Sequence, residues 1–300
     1  MAELLFQEDK MNFKKSATIE EQIVSLKSKG IEIVDENKAK TILENLNYYK
    51  LKGYLLEFKN IETGLYQNSP TFERVYGIYE FDGSLRNIFL FAAEKIEHSI
   101  KTRIAHEIAL QYPNNPHIYE DENFFRCKDD HKRFLKSFRD NVKNRRKTPF
   151  VAHHINKYRS QFPIWVAVEL FTLGDIQYLY KNIPNRLRRK ISSGFNVSPD
   201  IFDSWIDNLR RTRNHIAHSM RVYNTSFSFS PKHSKDFQEG LVLSNRIFDQ
   251  FYLLKMLYPD NCDWFDVSGR LDMLIHRYRT AIELKAIGFP CNWKRFLMDD

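Results

Sequence analysis

Hydrophobic residues recur along much of the chain at three- and four-residue steps, the spacing of an amphipathic helix. The clearest case is the segment 84–112, in which no glycine or proline interrupts the pattern before Pro113. This segment predicts a long central helix, with Asp82 or Ser84 as its N-cap. Its apolar positions are Leu85, Ile88, Phe89, Ala92, Ile96, Ile100, Ile104 and Ile108.

The same spacing predicts helices through the rest of the chain. They cover residues 19–28, 38–45, 72–80, 131–147, 163–181 with a break at Gly174 and Asp175, 199–222, 236–257 and 268–284. No segment shows the strict alternation of a strand, so the sequence predicts an all-α fold. We expect a helical N-terminal extension over 1–70, a core over 71–225 and a helical C-terminal region over 226–300 that packs on the core.

Composition excludes several classes of protein. The chain has 300 residues, of which 42% are hydrophobic, and only ten glycines and ten prolines, which disfavours a disordered chain and a many-turned β-sandwich. Three cysteines without paired spacing (Cys127, Cys262, Cys291) exclude a disulfide framework and a CxxC knuckle. No signal peptide and no apolar run of about 20 residues is present, so we expect a cytoplasmic protein without membrane contact. His153 and His154 lack acidic partners at ligand spacing, so we expect neither a metal nor a cofactor.

The helix predicted over 199–222 separates an apolar side from a polar side. Winding it at about 100° per residue places Phe202, Trp205, Leu209, Ile216 and Met220 together, facing the core. Asn214 and His218 are four residues apart and therefore neighbours, whereas Arg213 lies about 140° from His218. The opposite, polar side carries Asp203, Asp207, Arg210, Arg211, Asn214, His218 and Arg221.

This polar side has two interpretations. It is either a solvated face with an ordinary histidine, or a site for a phosphodiester. Arginine offers a fork to phosphate and stabilises charge that builds in a transition state. Histidine titrates near neutral pH and can move a proton to or from a ribose hydroxyl. Such a pair can cleave RNA without a metal by using the neighbouring 2′-OH as nucleophile.

The segment RNHIAHSMRVYN (213–224) resembles the signature of abortive-infection proteins of the Abi family (AbiD/AbiF-type), which belong to the HEPN superfamily with its Arg-x4-His motif. Other segments resemble the family in the same order along the chain. They are NYYKLKGYLLEF (47–58), VYGIYEFDGSLRNIF (75–89), EKIEHSIKTRIAH (94–106), FPIWVAVELFTLGDIQYLY (162–180) and GFPCNW (288–293).

The resemblance implies a HEPN-like helical bundle and ribonuclease chemistry in phage defence or as a toxin. Arg213 and His218 match the two functional positions of the motif, and Asn214 matches the polar residue beside the arginine. Arg221 and Asn224 match later family positions. The chain departs from many relatives at His215 and at Ser219–Met220, where they carry Cys and a second His–Ser. Because HEPN nucleases face two motifs across an interface and this chain has one, the resemblance implies a homodimer with a composite site.

Two glutamates are candidates for supporting roles. Glu97 pairs with Lys101 as an ordinary i,i+4 contact, or it orients Arg213 or His218 from a neighbouring helix. Glu94 and His98 are a similar surface pair. Glu169 stands in an otherwise apolar stretch, which predicts a buried carboxylate in a salt bridge with an arginine such as Arg213.

The predicted helix 131–147 is strongly basic and is interleaved with Phe134 and Phe138. It is either a solvated face or a track for an RNA backbone with rings on which bases stack. With Arg210, Arg211 and Arg221, the candidate RNA-binding residues are Lys132, Arg133, Lys136, Arg139, Lys143, Arg145, Arg146 and Lys147.

Two hypotheses for the function follow. The first is a metal-independent endoribonuclease in which His218 transfers protons, Arg213 stabilises the phosphorane and Asn214 orients or caps. Such a protein harms its own cell, so a small RNA or an inhibitory partner is expected to restrain it. The second is a non-catalytic RNA-binding module that serves as a scaffold or sensor.

Overall fold

The structure is a computed structural model that describes residues 16–299 apart from Ile61 and Ser69, and it leaves the side chains of Asn261 and Cys262 undescribed. The described residues form thirteen α-helices and no β-strand, which confirms the all-α prediction. The helices are α1 Ile19–Ser28, α2 Glu36–Asn45, α3 Tyr48–Tyr54, α4 Phe72–Gln111, α5 Lys128–Asn144, α6 Pro149–Lys157, α7 Ile164–Ala167, α8 Leu173–Asn182, α9 Asn185–Ser193, α10 Pro199–Ala217, α11 Ile247–Leu257, α12 Asn261–Arg277 and α13 Trp293–Leu297.

The chain divides into two compact units, residues up to Tyr79 and residues from Glu80 onward. In the first unit, α1 packs against α2, and α1 begins with a capping box. The hydroxyl oxygen of Thr18 accepts a hydrogen bond from the backbone amide of Glu21. In return, the carboxylate of Glu21 accepts one from the backbone amide of Thr18. The bounds of α1 are those that the spacing of apolar residues predicts. None of the helices in the described part of the chain combines the length and apolar composition needed to cross a bilayer.

Helix α4 is longer than predicted. Its 40 residues merge the short helix expected over 72–80 with the long helix expected from Ser84. Asp82 and Ser84 therefore lie inside the helix, and the prediction that either one caps its start is wrong. The cause is the uninterrupted spacing of buried residues through Val75, Ile78 and Phe81, all of which are at most 1% exposed.

The second unit is built around α10. This helix packs against α8, α9 and α11, and its buried side includes Phe202, Trp205, Leu209 and Ile216, as predicted. A buried polar chain links α10 to α11. The hydroxyl of Thr212 donates to Oε1 of Gln250 at 3.0 Å, and Nε2 of Gln250 donates to Oδ1 of Asn208 at 3.4 Å. These bonds fix the rotation of α10, which determines where its polar side chains emerge.

Three predicted helix boundaries are displaced for local reasons. The break predicted at Gly174 and Asp175 is present but lies earlier, because α7 ends at Ala167 and α8 begins at Leu173 with Thr172 and Asp175 as its capping box. The helix expected over 236–257 begins only at Ile247, where the carboxylate of Asp249 accepts the amides of Ser244 and Asn245. The helix expected over 268–284 is α12, Asn261–Arg277.

The two phenylalanines of α5 do not stack on RNA bases. Phe134 is fully buried and Phe138 is 5% exposed, and both belong to a cluster of edge-on aromatic rings with Tyr119 and Phe171. The prediction of base stacking on this helix is therefore wrong. The rings instead attach α5 to the core and so orient the basic side of the helix outward.

We expect Phe134→Ala to lower the free energy of unfolding by about 3–5 kcal/mol, because it leaves a cavity in a packed aromatic cluster. Lys136→Ala, an exposed change on the same helix, should alter it by less than about 0.5 kcal/mol. Urea unfolding followed by circular dichroism measures both values. Equal stability of the two variants would contradict the burial of Phe134.

Candidate functional site

Helix α10 carries the Arg213–His218 segment, and its beginning is set by local sequence. The hydroxyl of Ser198 accepts the amide of Ile201, and Pro199 occupies the first helical position, where a missing amide hydrogen costs nothing. The helix then continues without glycine or proline to Ala217. Arg213 therefore lies on regular helix, and His218 is the C-cap residue.

The end of α10 is a Schellman motif, in which a residue with positive φ turns the chain back on the last helical turn. Ser219 takes that position with φ of 55°, and its amide donates to the carbonyl of Ile216 at 2.9 Å. The amide of Met220 donates to the carbonyl of His215 at 3.2 Å. The prediction of a helix through residue 222 is therefore wrong, and Met220, expected in the core, is 53% exposed.

The chain that leaves α10 is held by a buried carboxylate from α4. Oδ1 of Asp82 accepts the amides of Val222 and Tyr223 at 2.9 and 2.6 Å, and Oδ2 accepts Nε of Arg86 at 3.1 Å. Asp82 is fully buried, so these bonds lie out of contact with water. They fix the position of the segment that follows His218.

Further contacts secure the same segment. Nε2 of His215 lies 2.9 Å from the carbonyl oxygen of Arg221. Asn224 has φ of 49°, its amide donates to the carbonyl of Ala286, and its Oδ1 accepts Nη1 of Arg246 at 3.2 Å. His215 and Asn224 therefore have structural contacts in this chain.

Arg213 lines a cavity of about 370 Å³ between α10 and α4. Glu94, Glu97 and His98 of α4 line the same cavity, together with Leu90 and Ala217. Nζ of Lys101 lies 2.7 Å from Oε1 of Glu97, which confirms the predicted i,i+4 pair. The structure thus brings a guanidinium, two carboxylates and an imidazole to one open cavity.

The three residues of the predicted catalytic set are exposed. No hydrogen bond or ion pair joins the side chain of Arg213, Asn214 or His218 to another residue in the part of the chain that the structure describes. The amide of His218 donates to the carbonyl of Asn214 at 3.1 Å, so helical geometry reaches His218 and keeps it about 140° around the axis from Arg213. Within one chain, the two side chains therefore point in different directions.

Other arginines of α10 are engaged. Nη2 of Arg210 lies 2.7 Å from Oδ1 of Asp207, and its Nε donates to Oε1 of Gln177 at 2.6 Å. Nη1 of Arg211 lies 3.6 Å from Oδ2 of Asp207, and its guanidinium stacks over the ring of Phe229. On the same helix, burial raises the pKa of Asp203, and the negative charges of Asp207 and Asp200 raise it further. Arg210 and Arg211 are thus less available to RNA than their place on the polar side suggested.

A stripe of cations runs along α5 on the side opposite the buried rings. Counted at about 100° per residue from Phe134, Lys132, Lys136, Arg139 and Lys143 fall within a sector of about 60° on the far side. All four are exposed, and Lys132 has only a long contact of 3.8 Å with Asp129. We call these four residues the basic stripe.

The basic stripe ends at a cavity of about 420 Å³. The predicted helix 131–147 stops at Asn144, so Arg145, Arg146 and Lys147 lie in the turn that follows, and this turn lines the cavity with Lys143. Nη1 of Arg145 donates to the carbonyl oxygen of Glu169 at 3.3 Å. Arg133, the remaining candidate on α5, is exposed and lies 3.9 Å from Asp130.

Glu169 is not the buried carboxylate that its apolar neighbours suggested. Its side chain is exposed, and no salt bridge joins it to Arg213 or to another described residue. The reason is a change of helical period, because α7 ends at Ala167 and a 3₁₀ turn over Val168–Leu170 rotates Glu169 outward.

Among the described residues, no group of three or more His, Cys, Asp or Glu side chains is arranged to hold a metal ion. Cys127 and Cys291 are free and exposed, while the side chain of Cys262 lies outside the described part. Sequence reasoning missed the roles of Asp82 and Arg86. The signal for both was present in the segment YEFDGSLR, which places two opposite charges four residues apart in an apolar helix.

The comparisons with known proteins give one positive finding. The model of a family described as Abi-like protein matches residues 41–224, more than half of the chain. Neither the curated proteins nor the solved structures contain a match to this chain. The matched range includes the Arg213–His218 segment, Asp82 and the whole of α4.

We expect Asp82→Asn to lower the free energy of unfolding by about 3 kcal/mol, because it leaves Arg86 without its buried partner and weakens two charge-assisted bonds. His218→Ala should change it by less than about 0.5 kcal/mol, since that side chain is exposed and unbonded. Urea unfolding of the purified variants measures the difference. An equal loss of unfolding free energy in both variants would contradict the conclusion that Asp82 supports the segment while the side chain of His218 does not.

Proposed function

Because the chain belongs to the Abi-like protein family, a membership that supports a role in abortive infection, we propose that it is a metal-independent endoribonuclease of phage defence. The observation that carries the proposal is the end of α10. There Arg213, Asn214 and His218 are exposed and unbonded, while the backbone around them is fixed by the Schellman motif and by Asp82. Free side chains on a fixed backbone are what a site for an external phosphodiester needs.

In the proposed reaction, the 2′-hydroxyl of a ribose attacks the adjacent phosphorus atom. His218 accepts the proton of that hydroxyl, or in the second proton transfer donates one to the leaving 5′-oxygen. Arg213 stabilises the negative charge of the phosphorane, and Asn214 orients the phosphate by hydrogen bonding. The bond from phosphorus to the 5′-oxygen breaks, which leaves one product with a 2′,3′-cyclic phosphate and one with a 5′-hydroxyl.

One chain supplies one Arg213 and one His218, and on α10 they diverge by about 140°. A second copy placed with its α10 against the first lets the arginine of one copy and the histidine of the other contact one phosphate. We therefore propose that the active form is a homodimer with a composite site. In this arrangement Glu97, held by Lys101 in the Arg213 cavity, positions the guanidinium.

The basic stripe suits the backbone of a bound RNA. Lys136, Arg139 and Lys143 have no hydrogen bond or ion pair with other described residues, so their charges are available to phosphates. Because cleavage of cellular RNA is harmful, we propose that a small RNA or a partner protein restrains the enzyme. A bound small RNA on the basic stripe is the form of restraint that the charge favours.

The second candidate is a non-catalytic RNA-binding module. The observation that favours it is the absence, among the described residues, of a carboxylate or carbonyl bonded to the imidazole of His218, since catalytic histidines are usually oriented by such a bond. In that case the same side chains recognise phosphate without cleaving it.

We expect the wild-type protein to cleave single-stranded RNA in EDTA and to leave 2′,3′-cyclic phosphate ends. His218→Ala should reduce the rate by about 10²–10⁴ and Arg213→Ala by about 10²–10³. His106→Ala serves as the matched control, because it removes an exposed histidine of another helix, α4, and it should retain full activity. Mass spectrometry of the fragments identifies the ends, and a substrate with 2′-deoxyribose at the cleaved position should resist.

The ratio of absorbance at 260 and 280 nm shows first whether the purified protein carries RNA. Removal of that RNA in high salt should precede the assay. RNA bound tightly but left intact by stripped wild-type protein would favour the binding module. Mixing inactive Arg213→Ala and His218→Ala chains should restore part of the activity of a composite site, and no recovery in a proven mixed dimer would count against that site.

We expect the triple change of Lys136, Arg139 and Lys143 to glutamine to weaken RNA binding and to reduce the slope of log affinity against log salt by about 2 for single-stranded RNA. The change of Lys232, Lys235 and Lys285 to glutamine removes the same net charge elsewhere and is the control. Fluorescence anisotropy at several salt concentrations measures both slopes. An unchanged slope in the first variant would remove the basic stripe from the RNA interface.

A further inference from the structure

A third cavity lies away from the Arg213–His218 segment and from the basic stripe, within the unit that begins at Glu80. Its volume is about 500 Å³, within the range of small-molecule sites. Helices α4 and α11, the turn between α9 and α10, and the loop that precedes α11 form its walls. Its polar and apolar side chains are mixed, as in sites that orient a ligand by a few hydrogen bonds.

Arg103 of α4 is the cation of this cavity. Its guanidinium lies over the ring of Phe195, 5.0 Å from the ring centre, and no ion pair or hydrogen bond joins it to another described residue. It also crosses Gly194 so closely that a β-carbon there would lie 1.5 Å from Nη1. A glycine thus provides the space in which an arginine without a carboxylate partner is held.

Gln238, one of the residues that line the cavity, has an unused hydrogen-bond acceptor. Oε1 of Gln238 is buried and has no partner, although the backbone amide of the same residue donates to the hydroxyl of Tyr252 at 3.0 Å. A buried acceptor without a donor costs free energy, which a ligand with an N–H group would recover. Burial raises the pKa of Tyr252, so its hydroxyl stays protonated at neutral pH.

Two further charges line the cavity. Nζ of Lys255 donates to the carbonyl oxygens of Phe296 and Asp299, so it adds positive potential while held in place. Asp236 is the one carboxylate among the described residues of the lining, and it is exposed and accepts the hydroxyl of Ser234 at 3.4 Å. The described lining therefore carries two positive side chains, Arg103 and Lys255, and one negative side chain, Asp236.

We propose that this cavity binds a nucleoside monophosphate. The fork of Arg103 matches the oxygens of a phosphate, and Oε1 of Gln238 matches an N–H donor of a base. Phe195, Tyr252 and Met256 provide apolar surface for the rest of the ligand. This inference does not depend on the proposed nuclease, because no residue of the cavity belongs to that site.

Isothermal titration calorimetry of the purified, RNA-free protein tests the inference with the four ribonucleoside 5′-monophosphates and with inorganic phosphate. We expect at least one nucleotide to bind one site per chain about tenfold more tightly than inorganic phosphate. Arg103→Gln should weaken that binding by about tenfold or more, since it removes a charge-assisted fork. Gly194→Ala should do the same, because its methyl group displaces the guanidinium.

Matched variants separate these effects from general damage. Arg295→Gln removes another guanidinium that lies over a phenyl ring, that of Phe296. Gly269→Ala adds a methyl group where, apart from the backbone of its own helix and its chain neighbours, no atom lies within 4 Å. Both should bind the nucleotide like the wild type. Arg103→Lys keeps the charge but loses the fork, so it gives a second reading should Arg103→Gln fail to fold.

Three results would overturn the inference. They are no heat of binding with any nucleotide, equal affinity for inorganic phosphate and nucleotides, and wild-type affinity in folded Arg103→Gln or Gly194→Ala. RNA cleavage is measured in a separate assay, so loss of either proposal leaves the other intact.

Discussion

The bonds to the buried carboxylate of Asp82 are the interaction on which the geometry of the Arg213–His218 segment depends. Three donors converge on it inside α4, two of them backbone amides from a segment about 140 residues later in the chain. A buried charge is stable only when it is fully paired, so this carboxylate tolerates few other arrangements of its neighbours. Because these bonds hold Val222 and Tyr223, which follow Ser219 in the chain, they fix the turn at Ser219 and the C-cap position of His218.

The spacing of apolar residues was sufficient to predict the all-α class, most of the longer helices and the buried side of α10, because burial of one helix face leaves a local pattern. It did not predict the shorter helices α3, α6, α9 and α13. It could not predict where α10 ends. The residues after Ala217 still fit the helical pattern, and Met220 falls on the predicted apolar side. The helix ends because Ser219 takes a left-handed conformation and the amides that follow it bond to Asp82. A contact between residues 82 and 222 produces no periodic pattern in the sequence.

The same limit explains the errors at α5 and at Glu169. Phe134 and Phe138 have the spacing of a buried face, but the many cations along the same helix suggested a ligand surface instead. The positions of Tyr119 and Phe171, which approach from other segments of the chain, show that the rings are enclosed. The burial of Glu169 was predicted for a continuous α-helix. The short 3₁₀ turn over Val168–Leu170 changes the angle between successive side chains, so Glu169 points outward. The motif residues of the candidate site were found by resemblance, while the cavity shared by Arg213 and His98 needed the fold.

The separation between exposed side chains and the backbone that holds them has an evolutionary consequence. Arg213, Asn214 and His218 can each be replaced at little cost to folding, because none is bonded to another described side chain. With the proposed nuclease chemistry at these side chains, a single nucleotide change would silence the protein without producing misfolded chains for proteases to remove. A lineage in which that activity is harmful would keep an intact, inactive scaffold, and one reverse change would return it to use.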